Sequence, residues 1–375
     1  MKEKRYKVGI CTDTGWNYGS ALQSYATKEI LSSLGCQGEV IKLSGSLVPG
    51  RDVRIKKALI MGARMLCYSP EKFFRSVPDP EEKDLTQKTK AEFQKFYDEK
   101  IMPVFLSEHK LKTLAHRDEY AAFLCGSDQI WITTAYYVDP FYYLAFAPKE
   151  KRIAFAPSFG REFIPEFNRK KISRYLKDIP VLSVREDSGA KLIRELTGKT
   201  VPVLADPTLV LDREQWISCL GLQKSYVQEP YVLAYFLSRP SERAQNMMKA
   251  MGKRGYKIIT LPYQRKGSWF DRAEEAGPKE FLQLLLNASL VCTDSFHGTA
   301  FSVNFEKNFY AFQRDYGSEA NQSTRLTSLL GKTELMCRFD PDSEQDQNID
   351  FSFSRAVLNE EREKSIEYLR KALKV

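Results

Sequence analysis

Val291-Cys292-Thr293-Asp294-Ser295-Phe296-His297-Gly298-Thr299-Ala300-Phe301-Ser302 is the stretch on which the reading of this chain turns. Its first residues close an apolar run over 288–293, the pattern of a buried strand. Gly298 and Thr299 supply conformational freedom and a capping hydroxyl, and the apolar residues beyond them open a helix. A strand-to-helix turn of this kind presents backbone N–H groups and the positive end of a helix dipole, where anions bind. In an open α/β sheet, the carboxyl ends of strands are also where ligands gather. His297 is therefore a candidate to bind an anion or move a proton. A buried histidine that only satisfies hydrogen bonds fits the local pattern equally well.

The same punctuation recurs outward from this turn. Apolar runs at 6–11, 39–43, 120–125, 152–156, 181–184 and 201–205 read as strands, and a second series follows at 231–237, 256–261, 289–293 and 308–312. Leu22, Tyr25, Ala26, Ile30 and Leu34 recur at helical spacing, with Gly35 as the stop. Further helical patterns lie at about 241–252, 278–287 and 324–330. Strand–helix alternation twice over, with one break, predicts an α/β chain of two parallel-sheet domains facing a cleft. The first domain is expected over 1–212 with a helical insertion at about 44–111, and the second over 213–353. A terminal helix over 354–375 is placed to cross back to the first domain.

Candidate functional residues cluster where strands end. The loop over 12–20 carries Asp13, Asn17 and Tyr18; its glycines do not form G-x-G-x-x-G, and it lacks the P-loop lysine. Asp128, in the polar loop after 120–125, reads either as an acceptor-binding or basic group or as a loop cap. Ser158 follows the strand at 152–156, and Arg185 stands at a strand-to-helix junction much as His297 does. Arg325 lies among Leu326, Leu329 and Leu330, so it reaches an anion or merely flanks a core helix. The aromatic run at 136–143 suits either stacking on sugar faces or ordinary core.

Composition narrows the classes. The 375 residues carry a net charge of +9, which points to anionic company: phosphorylated substrates, nucleic acid or an acidic membrane surface. The seven cysteines include no C-x-x-C pair, and the three histidines form no metal-binding pattern. The charged N-terminus is followed by an apolar run that Asp13 cuts short, unlike a signal peptide. No segment approaches the roughly 20 apolar residues of a membrane span. A reduced cytoplasmic enzyme is the expectation. Between 51 and 76, basic residues such as Arg54, Lys57 and Arg64 interleave with Leu59, Ile60, Met65 and Phe73. That mixture suits a helix with a solvated basic face, or one peripheral at the anionic inner face of a membrane.

Taken in order, several of these pieces resemble the polysaccharide pyruvyl transferase family. They are Asn17-Tyr18-Gly19-Ser20-Ala21-Leu22-Gln23, Gly126-Ser127-Asp128-Gln129-Ile130-Trp131, Ser158-Phe159-Gly160, Ser183-Val184-Arg185-Glu186, Asp206-Pro207-Thr208-Leu209 and Thr293-Asp294-Ser295-Phe296-His297-Gly298-Thr299. The resemblance implies two Rossmann-like domains in a GT-B-like arrangement with the active site in the interdomain cleft. It implies transfer of pyruvate from phosphoenolpyruvate to hydroxyls of a saccharide acceptor, forming a ketal, with no metal and no cofactor beyond that co-substrate. His297 and Arg185 would be catalytic. Ser295, Gly298, Thr299 and Arg325 would hold the donor, and Asp13, Asn17, Tyr18, Asp128 and Ser158 the acceptor. One departure stands out: many members carry Arg-Leu before the histidine, where this chain has Ser295-Phe296. The anion contact that this arginine supplies would then be missing, or replaced by Arg325, Arg161 or another base. The alternatives are a GT-B-type glycosyltransferase using a nucleotide sugar, or a non-catalytic family member that binds an anionic sugar. No zinc finger or RNP motif supports a nucleic-acid partner.

Overall fold

The computed structural model describes residues 6–44, 85–134, 137–224, 229–261, 269–314, 324–342 and 349–375. The basic segment over 51–76, and with it the expected membrane contact, lies outside the described residues. Among the described residues, no helix is long and apolar enough to cross a membrane. By contacts, these residues fall into two units. The first holds the described parts of 6–44, 97–207 and 363–375, and the second those of 85–96 and 208–362.

Each unit is built on a five-stranded sheet. In the first, β1 (Lys7–Cys11), β2 (Gln37–Leu43), β3 (Val104–Leu106), β4 (Ala122–Cys125) and β5 (Arg152–Ala154) stand in the order β3-β2-β1-β4-β5. In the second, β6 (Tyr231–Tyr235), β7 (Lys257–Thr260), β8 (Arg272–Ala273), β9 (Leu290–Thr293) and β10 (Phe309–Ala311) stand in the order β10-β9-β6-β7-β8. All the pairings are parallel. Both are therefore Rossmann-like sheets with the same winding, because reading the second from its first strand reproduces the order of the first. The winding reverses between β1 and β4 in one sheet and between β6 and β9 in the other. In such sheets, ligands bind beyond the carboxyl ends of the two strands at the reversal.

The central strands carry apolar runs because both faces are covered. β4 and β6 are buried at every position. Trp131, Phe123 and Phe159 belong to the first core, and Met248, Met251 and Tyr310 to the second. Asn17 starts the Tyr18–Ser33 helix by accepting from the backbone N–H groups of Gly19 and Ser20. Asp212 and Gln215 form a capping box that starts the Arg213–Leu220 helix. The Ser352–Leu373 helix begins in the second unit, where Arg362 donates to the Leu209 carbonyl at 2.9 Å. Its last turns belong to the first unit, where the Tyr368 hydroxyl donates to the Ala154 carbonyl at 2.8 Å.

Three expectations are corrected. The 44–111 segment is not wholly helical, because β3 lies within it and pairs with β2. This strand has three residues, and Phe105 on it is exposed, as befits a short sheet edge without readable periodicity. The Gln87–Phe96 helix, in the same segment, groups with the second unit and packs on the Pro278–Asn287 helix. There Thr89 donates to Glu275 at 2.5 Å. Finally, the runs at 181–184 and 201–205 extend the first sheet only by single bridges, Ile153 to Val181 and Val184 to Val203.

Gly126, directly after β4, has φ +113°, and a Cβ there would lie 2.1 Å from the Phe155 carbonyl oxygen. A backbone oxygen cannot step aside as a side chain can. Gly126→Ala is expected to lower stability by roughly 1–3 kcal/mol, the usual cost of overpacking, with backbone strain added. An unchanged urea midpoint would contradict this reading of the loop.

Candidate active site

In the second unit the carboxyl end of β9 is tied to that of β6. The Thr293 hydroxyl donates to the Tyr235 carbonyl at 2.6 Å and accepts from the Ser295 N–H at 3.0 Å. Asp294 accepts from the N–H groups of Leu237 and Ser238, at 2.7 and 3.0 Å, and from the Ser238 hydroxyl at 2.6 Å. Arg314, just past β10, donates through Nε to the same carboxylate at 3.2 Å and through Nη2 to the Asp294 carbonyl at 3.0 Å. Three strand ends are thus held by one buried carboxylate.

The Phe296–Asn304 helix springs from this knot. Ser295 is its N-cap, with φ −96° and ψ 134°. A Cβ on Gly298 would come within 2.4 Å of the Thr293 hydroxyl oxygen, so glycine lets the helix sit down on β9. His297 occupies the second helical position and is buried, with its ring edge-on to Phe296 at 5.2 Å between centroids. The Arg325 guanidinium lies over the Phe296 ring at 5.8 Å. Histidine, two arginines and a helix N-terminus therefore gather around one strand end, an arrangement suited to a phosphate or carboxylate. Thr299 is fully buried, and its hydroxyl returns to the Ser295 carbonyl at 3.1 Å, so it stabilises the turn.

In the first unit, the loops after β1 and β4 bring two carboxylates together. The Ser20 hydroxyl donates to Asp128 Oδ2 at 2.5 Å, and Asp13 Oδ2 lies 3.3 Å from the same hydroxyl. One proton cannot serve both carboxylates, and Asp13 accepts in addition from the Gly15 N–H at 3.2 Å. Asp13 is open to solvent at its surface, yet protein mass crowding its carboxyl, followed by the charge of Asp128, pushes its pKa up. Lys42 and Tyr97 are the other titratable groups that feel this charge. Asp128 adopts a left-handed backbone, φ 66°, which aspartate tolerates better than most residues.

Behind this pair lies a buried ion cluster. Arg185 pairs with Asp206 and stands 3.9 Å from Asp128 Oδ1. Burial works against the charged guanidinium, but Asp206, Asp128 and Glu186 outweigh it and raise its pKa. The Arg185 side chain is only 3% exposed and faces carboxylates of its own unit. Asp206 also accepts from the Ser127 hydroxyl at 3.0 Å, and Gln23 holds the Ser127 N–H at 3.1 Å.

Sequence-predicted residues thus divide into two groups. Asp13 and Asp128 are brought together. Asn17 is a helix cap, Tyr18 is fully buried, and Ser158 is buried with its hydroxyl on Glu186 at 3.1 Å. The Ser158 hydroxyl also accepts from the Gly160 N–H at 3.0 Å, so it shapes the loop. Sequence reasoning passed over Ser20, Asp206, Asp294 and Arg314. The first three lie inside the motifs already quoted, and Arg314 follows β10 as His297 follows β9. A pocket of about 210 Å³ adjoins Asp13 and includes Tyr137, Tyr142 and Asp139.

With this geometry in place, comparison with known proteins is informative. The profile of the polysaccharide pyruvyl transferase family matches residues 17–316, from the Asn17 cap to beyond Arg314. The chain belongs to the polysaccharide pyruvyl transferase family. No curated protein sequence matches it. Solved structures similar to this family member include UDP-N-acetylglucosamine 2-epimerase from Rickettsia bellii, 12% identical with TM-score 0.46, covering 99% of this chain and 97% of that one. The UDP-GlcNAc 2-epimerase of Methanocaldococcus jannaschii is 13% identical with TM-score 0.44, covering 96% and 92%. ADP-heptose lps heptosyltransferase II from E. coli is 12% identical with TM-score 0.39, covering 96% and 98%.

The ion cluster yields a stability prediction for this family member. Arg185→Met strands two buried carboxylates, and breaking a buried pair from one side costs about 3–5 kcal/mol. Chemical denaturation should show that loss. A wild-type midpoint would mean that Asp206 and Asp128 do not depend on Arg185.

Proposed function

We propose that this family member moves pyruvate from phosphoenolpyruvate to two hydroxyls of one sugar in a surface polysaccharide or its lipid-linked precursor, closing a cyclic ketal. The observation that carries the proposal is the turn at His297. There a histidine on a helix N-terminus, with Arg325 and Arg314 beside it, stands at the reversal of a Rossmann-like sheet. Phosphoenolpyruvate bears a phosphate and a carboxylate, and arginine forks and helix N–H groups suit both.

The reaction needs two protons moved. A first sugar hydroxyl adds to the carbon that bears the phosphate ester, and its proton is replaced at the methylene carbon, which becomes the methyl group. The C–O bond to phosphate then breaks, and the second hydroxyl adds to the resulting cation. Its proton leaves with inorganic phosphate. His297 supplies the proton to the methylene and later supports the departing phosphate. Arg325 and the N–H groups around Gly298 hold the donor's anionic ends. Arg314, which locks Asp294, fixes the turn that presents them. Ser295 caps the helix in place of an arginine, so Arg325 takes over the missing charge.

In the first unit, the Asp13–Ser20–Asp128 group has the chemistry of a base for the acceptor hydroxyls. An aspartate with a raised pKa holds a proton more firmly than a solvated one, which improves it as an acceptor. Arg185 enters only by orienting Asp128, so it is a positioning residue.

His297→Ala should lower kcat/KM for phosphoenolpyruvate by about 10²–10⁴-fold, read as acceptor-dependent phosphate release. Near-normal turnover in the variant would remove His297 from the chemistry. In parallel, phosphoenolpyruvate should raise the wild-type Tm while a nucleoside diphosphate leaves it unmoved. The opposite pattern would favour a nucleotide-sugar donor.

A further inference from the structure

The Glu166–Lys177 helix of the first unit carries more than its packing requires. Asn168, Ile172 and Leu176 form its buried face, and the latter two join the first core. The Asn168 amide donates to the Thr133 carbonyl at 2.7 Å, which ties the helix to the segment after β4. Phe167, Lys170, Lys171 and Arg174 recur at i, i+3, i+4 and i+7, so they share the other face, and all four are exposed.

An aromatic ring on that face serves no packing role. Phe167 is 68% exposed, and Phe163, four residues earlier, is 52% exposed. Ile132, the neighbour of Thr133, is exposed as well. Single apolar side chains on a surface are ordinary, but three gathered about one helix start mark a contact surface. Over 161–177 the sequence holds six lysines and arginines against two glutamates, Glu162 and Glu166. Arg169 is engaged with Glu195 at 3.7 Å. Lys171 lies over the Tyr137 ring at 4.9 Å and the Tyr175 ring at 5.9 Å, which seats its charge beside the apolar group.

We infer that this face docks on an anionic lipid bilayer. Phe163, Phe167 and Ile132 enter the headgroup layer, and Lys170, Lys171 and Arg174 meet lipid phosphates. Apolar side chains gain by leaving water at the interface, and each nearby cation adds attraction to an anionic leaflet. Lysine is mobile and strongly hydrated, so it suits a diffuse layer of headgroups better than one fixed ligand. A nucleic acid or an acidic protein would satisfy the charges; the apolar side chains among them favour lipid. The face is separate in sequence from the basic segment over 51–76. Ile132 and Tyr137 also line the pocket that adjoins Asp13, so docking brings that pocket to the bilayer surface. The inference concerns a surface and does not rest on the pyruvyl-transfer reading.

Co-sedimentation of the full chain with vesicles tests it, using phosphatidylcholine alone against phosphatidylcholine with 30 mole per cent phosphatidylglycerol, roughly the anionic content needed for a surface field. The protein should pellet with the anionic vesicles and far less with the neutral ones, and added salt should weaken binding. Each charge removed should cost about five-fold, so the triple variant Lys170→Gln, Lys171→Gln, Arg174→Gln should lose about a hundred-fold. Phe167→Gln, which keeps helix propensity, should lose about ten-fold. These side chains are exposed, so the variants should melt with the wild type and their losses would not be unfolding artefacts. Equal binding to both vesicle types would overturn the proposal. Loss in the triple variant with none in Phe167→Gln paired with Phe163→Gln would also overturn it, in favour of a soluble polyanion. Binding that survives all these variants and is lost on Arg54→Gln, Lys57→Gln and Arg64→Gln would assign the contact to the 51–76 segment instead. The assay contains neither phosphoenolpyruvate nor saccharide, so failure of vesicle binding and failure of pyruvyl transfer are read separately.

Discussion

A guanidinium buried against carboxylates sets the geometry on which the first unit depends. Arg185 carries its charge into a region with almost no solvent, and Asp206 and Asp128 are there to meet it. Desolvation makes such a cluster poor evidence of net stability, but removal of one member leaves the others stranded. The cluster therefore acts less as glue than as a constraint on position. It fixes the loop after β4, and through Ser20 that loop meets the loop after β1. The result is a pair of carboxylates that share one hydroxyl, and protein mass crowding the Asp13 carboxyl, followed by the charge of Asp128, pushes the Asp13 pKa up.

The second unit solves the same topological problem with a different charge. Both sheets wind identically, so each presents two loops at its reversal. In the first unit those loops bring carboxylates together, backed by an arginine. In the second, a buried carboxylate, Asp294, draws the two loops together and takes Arg314 with it. The first cluster therefore sets two aspartates beside one serine, and the second sets a histidine and two arginines beside a helix N-terminus. One arrangement suits hydroxyl groups that must lose protons, and the other suits a phosphate and a carboxylate. A shared fold thus carries different chemistry in each unit through local side-chain choice, as expected when sites are grafted onto a common scaffold.

Much of the scaffold was legible because parallel strands buried on both faces announce themselves as apolar runs. β1, β4, β6 and β9 were read from that signal, and the glycines and caps after them placed the functional loops. β3 escaped because three residues with one exposed phenylalanine carry no periodicity. The runs at 181–184 and 201–205 look like strands because they are buried, yet each joins the sheet at a single bridge. At the sites, residue type was a good guide to location and a poor guide to hydrogen-bond partners. Arg185 and Ser158 sit beside functional loops, as their motifs suggested, but their partners are internal carboxylates that sequence spacing cannot reveal. Ser20 and Asp294 were hidden for the opposite reason: a serine in a helix and an aspartate after a strand are ordinary until their distant partners are known. Of the described aromatics in the run at 136–143, Tyr143 packs in the core and, with Tyr137 and Tyr142, lines a pocket.

The central claim is that carbon from phosphoenolpyruvate becomes a ketal on a sugar. Incubation of the protein with 2-¹³C-phosphoenolpyruvate and a saccharide acceptor, followed by ¹³C NMR of the recovered saccharide, tests this most directly. The account predicts a labelled quaternary ketal carbon with three-bond correlations to protons on two sugar carbons, and one phosphate released per ketal formed. Label found only as free pyruvate or unreacted donor, with a sugar nucleotide instead glycosylating the same acceptor, would contradict it.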